Sequence, residues 1–139
     1  MAPRRYELAT VAAARALRSS YCTLVNGKLL ADRFLPPAQV RDLVLDHRSA
    51  GLDEVDVAVM DLAEKVAEDA TSVTDTDVQR LRDLGLSDAE ILDVVAAAAE
   101  RCFFSKTLDG LGAQADAALA RLDPELRDVL TVVRPIAES

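Results

Sequence analysis

The sequence predicts an all-α protein, a compact multi-helix bundle, and three observations carry that prediction. Five glycines and five prolines among 139 residues are too few for a many-stranded sandwich that turns every ten residues or so. Half of the residues are hydrophobic but only 4% are aromatic, so the core is built from Ala, Val and Leu. Apolar residues also recur at three- and four-residue spacing between recognisable start and stop signals.

In chain order, Leu8, Val11, Ala12 and Ala16 form the stripe of a first helix. A second runs from about Ser20 to Phe34, with Tyr21, Leu24, Val25 and Leu29 among its apolar positions, and Pro36-Pro37 stops it. Pro37 can open a short helix, Ala38 to His47, which Ser49-Ala50-Gly51 closes. Asp53 is the expected N-cap of a long helix with the stripe Val55, Val59, Leu62, Ala63 and Val66. Thr74 caps the next, with Asp77 at the third helical position, and Gly85 ends it in the left-handed conformation.

Ser87-Asp88-Ala89-Glu90 reads as a capping box opening the longest helix, to about Leu111. Ile91, Leu92, Val94, Val95 and Ala96 to Ala99 make that helix apolar nearly all round, which predicts a central element or a subunit contact. A helix from after Gly112 to about Leu122 is expected next. Asp123-Pro124 starts a last segment through Leu126, Val129, Leu130 and Val133. One domain, residues 1–139, accommodates all of this.

Sixteen basic and 24 acidic side chains give a net charge of -8, which argues against a nucleic-acid partner. Arg4, Arg5, Arg15 and Arg18 are the only basic concentration, and they read as a solvated helix face. No apolar run is long enough to span a bilayer, and no signal-peptide core follows the start, so no membrane partner and a cytoplasmic location are expected. The preference for Arg over Lys points to a bacterial genome.

The lone histidine, His47, lies at a helix end and reads as structural, which leaves no triad and no zinc site. No Gly-rich phosphate loop is present, and no cofactor is expected. Two cysteines, Cys22 and Cys102, do not make a disulfide framework, and Cys102 beside Phe103 and Phe104 reads as core. One constellation remains: Glu7 on the first helix, then Ser19, Ser20, Tyr21, Cys22 and Asn26 around the start of the second. If the two helices fold back near Arg18 to Ser20, Glu7 comes beside residues in the upper twenties. Cys22 and Asn26 share a face, being four apart. Cys22 in a first helical turn has the dipole and free amides that favour a thiolate. Plainer readings stand beside this one: Ser19 or Ser20 as an N-cap, Cys22 as a small buried hydrophobe, Glu7 as a favourable first-turn charge.

Three stretches also resemble the alkylhydroperoxidase D-like branch of the carboxymuconolactone decarboxylase family. They are Glu7-Leu8-Ala9 leading into Arg18-Ser19-Ser20-Tyr21-Cys22, then Val73-Thr74-Asp75 with Leu81 to Ile91, and Phe103 to Gly112. The redox branch of that family carries Cys-x-x-Cys-x-x-x-His with a Glu twelve residues before the first Cys. In it the second Cys attacks the peroxide, the first resolves the intermediate, and Glu with His relays protons. The resemblance implies that Glu7 is the relay acid and Cys22 the attacking thiol. Ser19 stands where the resolving Cys belongs, and Asn26 where the His belongs. An internal disulfide across the motif is thereby lost, and the oxidised thiol needs an external thiol reductant. An amide at position 26 orients water or substrate but cannot titrate.

The resemblance therefore implies a hydroperoxide reductase using one cysteine, with Cys22 as nucleophile, Glu7 as proton relay and Asn26 positioning water or substrate. It also implies assembly as a homo-oligomer, a trimer or hexamer. The first motif helix starts close to the first residue, whereas relatives carry residues before it, so it is expected to need cover from elsewhere. Two other readings remain open. The decarboxylase branch suggests a non-redox enzyme acting on a small organic acid, in which Glu7, Tyr21 and Asn26 matter more than the thiol. The changes at Ser19 and Asn26 suggest a helical oligomer whose site has decayed.

Overall fold

A computed structural model of the chain describes residues 1–138; Ser139, the last residue of the expected domain, lies outside them. Seven α-helices and no strand occur among the described residues: α1 (Pro3–Ala16), α2 (Ser20–Arg33), α3 (Pro37–Asp46), α4 (Glu54–Asp69), α5 (Asp75–Asp83), α6 (Asp88–Gly110) and α7 (Pro124–Leu130). Short 3-10 turns cover His47–Ser49, Ala70–Ser72 and Ala117–Arg121.

α1 is the axis of the bundle, packed most extensively on α4 and then on α2 and α6. Its middle can take that place because Leu8 to Ala14 is a run of apolar or small residues, all buried. Small side chains let three neighbours approach one helix closely. On the far side of α2, α7 closes against Gly27, where an added Cβ would lie 2.5 Å from a Leu130 methyl.

The caps fall where the sequence puts them. Asp53 accepts from the Asp56 N–H, and Thr74 with Asp77 and Ser87 with Glu90 both form complete capping boxes. Gly85 adopts φ 95° after α5. His47 is buried at the end of α3, with Nε2 2.7 Å from Asp61 Oδ1, a structural placement.

Four expectations need correction. No α-helix follows Gly112; only Ala117–Arg121 winds, as a 3-10 turn. The backbone just before it is occupied otherwise, since the Ala113 carbonyl accepts from Arg134 and the Ala115 carbonyl from the Ala137 N–H. α6 is not buried on most sides: Leu92 (66% exposed), Ala96, Ala99 and Phe103 (68% exposed) form one outward stripe. Cys102, beside that stripe, is only half-buried. Arg4 and Arg5 are not simply solvated, because both guanidinium groups face Asp56 of α4, at 2.5 and 2.9 Å. The Asp56 side chain is fully buried, and a carboxylate taken out of water at that depth needs such partners.

Candidate active site

The site is built on the α1–α2 hairpin. α1 ends in a Schellman turn: the Ser19 N–H donates to the Ala14 carbonyl and the Arg18 N–H to the Arg15 carbonyl. Arg18 takes the left-handed conformation (φ 58°) that this turn demands. Ser19 then caps α2, its Oγ accepting from the Cys22 N–H at 3.4 Å. Cys22 is therefore the third residue of α2, in the turn where free amides concentrate positive potential. One turn on, Asn26 Nδ2 donates to the Cys22 carbonyl at 2.8 Å, which leaves Oδ1 as the amide's free acceptor.

Glu7 sits on α1, well before the turn. At about 1.5 Å of rise per residue the hairpin sets Glu7 about 10 Å along from Cys22, level with the part of α2 beyond Asn26. Burial raises the carboxyl of Glu7 above its ordinary value, while Arg101 and Arg33 pull it back. Its Oε2 is buried and has no hydrogen-bond partner.

Arg101, on α6, touches the thiol and acts on the Glu7 carboxyl by its charge. Its Nη1 lies 3.8 Å from Cys22 Sγ, its guanidinium is 5.4 Å from the centre of the Phe104 ring, and its Nε is buried without a partner. Ser105, one turn further along α6, is 1% exposed and its Oγ is also unpartnered. The C-terminal segment ties the two helices together here. The Val133 N–H donates to Ser20 Oγ at 3.0 Å, and Arg134 donates to the Asp109 carbonyl at 3.4 Å. α6 from Arg101 to Asp109 thus runs beside the first turn of α2.

Of the residues singled out from sequence, Ser19, Cys22 and Asn26 are joined by direct hydrogen bonds, all through backbone groups of α2. Glu7 connects to them through the field of Arg101. Tyr21 is half-buried against the core and makes no polar contact with the others. Arg101 and Ser105 escape a reading centred on the hairpin. Their signal is a break in pattern: both stand on the stripe of Val94, Ala97 and Ala98, which is otherwise apolar and buried.

No family model matches the sequence, and no curated protein is similar to it by sequence. Solved structures are similar. One is the alkylhydroperoxidase AhpD core of an uncharacterized peroxidase-related protein from Ralstonia eutropha JMP134, with a TM-score of 0.78 and 20% identity, over 96% of this chain and 67% of that one. Another is an uncharacterized peroxidase-related protein from Silicibacter sp. TM1040, with a TM-score of 0.81 and 19% identity, over 87% of this chain and 63% of that one. This chain has the all-α fold of the alkylhydroperoxidase core, and it spans about two thirds of the length of those neighbours. No described helix is long and apolar enough to cross a membrane.

Proposed function

We propose that the chain is a hydroperoxide reductase that works through one cysteine, Cys22. The observation that carries this reading is the Cys22 thiol in the first turn of α2, 3.8 Å from an Arg101 guanidinium that also acts on a Glu7 carboxyl whose proton affinity burial raises. The thiolate attacks the terminal oxygen of ROOH; the S–O bond forms, the O–O bond breaks and RO⁻ leaves. Glu7, some 10 Å away by the same helical rise, supplies the proton through water held at the free Oδ1 of Asn26, so that ROH departs. An external thiol then condenses with the Cys22 sulfenic acid, releasing water, and a second external thiol attacks that mixed disulfide, so that Cys22 returns as a thiol and the two external thiols leave as a disulfide. Ser19 acts by holding the turn in place.

Cys22 is only 2% exposed, which restricts access to compact hydroperoxides. The same burial favours a second reading, a helical scaffold whose site has closed. Hydroperoxide consumption with dithiothreitol as reductant separates the two. The parent protein and Cys102→Ser are expected to turn over, and Cys22→Ser is expected to fall to the uncatalysed background. Turnover that survives Cys22→Ser rejects the first reading, and no turnover in any of the three supports the second.

A further inference from the structure

We infer that Arg101 is a second catalytic group of this site, the charge partner of the Cys22 thiolate in a place where the motif supplies no imidazole. The inference deepens the hydroperoxide reading and rests on it for the substrate, but the pairing itself is tested without peroxide.

Three observations carry it. Arg101 Nη1 is 3.8 Å from Cys22 Sγ, within reach of a charge-assisted N–H···S contact. The charged groups around the site are Arg101 from α6, Glu7 from α1 and Arg33 from the last turn of α2. Of these Arg101 touches the sulfur, and Glu7, when ionised, opposes the thiolate from further off. The second observation is the cost of the arrangement. Arg101 Nε, Ser105 Oγ and Glu7 Oε2 are all buried without partners, and each such group costs about 1–3 kcal/mol when left unmatched. Two of them, Arg101 Nε and Ser105 Oγ, are donors one turn apart on the helix whose Arg101 touches the sulfur, and they mark a place made for a ligand with acceptor oxygens. A hydroperoxide has acceptor oxygens on two adjacent atoms, and its O–H is a donor.

The third observation is how the guanidinium is held. Phe104 lies under it at 5.4 Å, so cation–π attraction fixes its plane while the Nη1 edge faces the thiol. During attack the thiolate charge moves onto the departing alkoxide oxygen. A guanidinium already beside the sulfur follows that charge with little rearrangement. Arg101 therefore stabilises both the attacking and the leaving atom, a task that Asn26 cannot perform.

The experiment is a titration of thiolate ultraviolet absorbance in a Cys102→Ser background, where Cys22 is the one thiol. Arg101→Met keeps the apolar stem and removes the charge; Arg101→Gln is a second neutral variant, and Arg101→Lys keeps the charge. Circular dichroism identifies which variants are folded. The expected result is a midpoint about 1–2 pH units higher in the neutral variants and close to the parent in Arg101→Lys. Hydroperoxide turnover is expected to fall about 100-fold in the neutral variants. A folded neutral variant that titrates like the parent overturns the inference. A shifted midpoint together with a parent that consumes no hydroperoxide upholds the pairing and overturns the hydroperoxide reading.

Discussion

A thiol and a carboxyl about 10 Å apart along a hairpin cannot exchange a proton directly, whatever their individual affinities. Cys22 and Glu7 stand in that relation, and Arg101 touches one and acts by its charge on the other. Glu7 carries the cost of this arrangement. Its ordinary value is 4.5 and burial raises it, so the folded chain holds the proton more tightly than the unfolded chain does. Stability from this group is therefore complete below pH 4.5 and is lost as the pH rises through the folded value. Glu7→Gln removes the penalty. Its melting temperature is expected to exceed the parent's at pH 7 and to converge with it at pH 4, which thermal unfolding at the two pH values checks. A variant less stable than the parent at pH 7 would mean that Glu7 is held by a contact stronger than its desolvation.

Among the elements, the α1–α2 turn decides whether the site exists. It positions Ser19 as the cap, which in turn sets Cys22 at the third helical position. The turn passes through Arg18 at φ 58°, a conformation that costs a residue with a Cβ about 1–2 kcal/mol and costs glycine almost nothing. Arg18 is exposed, so nothing of its side chain is needed by the core. Arg18→Gly is expected to stabilise the protein by about 1 kcal/mol, and Arg18→Val to destabilise it by a similar amount, as denaturant unfolding measures. Features of this local kind were legible in the sequence. The caps at Asp53, Thr74 and Ser87 and the left-handed Gly85 each involve residues within one turn of each other, so spacing alone reveals them. Arg101 lies 79 positions from Cys22, and no local pattern links the two. Asp56 and its partners Arg4 and Arg5 are likewise far apart in sequence, so two cations that read as solvated turned out to hold a buried charge. The segment after Gly112 misled for the same reason, because its carbonyls are taken by Arg134 and Ala137.

For the molecule as a whole, α6 has two working faces. The inner one carries Ile91, Val94, Ala97 and Ala98 into the core and ends in Arg101 and Ser105. The outer one presents Leu92, Ala96, Ala99 and Phe103 to solvent, a contiguous apolar stripe. We propose that a second copy of the chain covers this stripe. Sedimentation equilibrium is expected to give an oligomer for the parent and the mass of one chain for Phe103→Glu; a monomeric parent would leave the stripe without that role. The central claim remains the thiol, and trapping its oxidised form tests it most directly. After brief exposure to hydrogen peroxide, the protein is treated with dimedone and mapped by mass spectrometry. One sulfenic acid adduct at Cys22, lost in Arg101→Met, is the predicted result. An unmodified Cys22, or an adduct confined to the more exposed Cys102, would contradict the account.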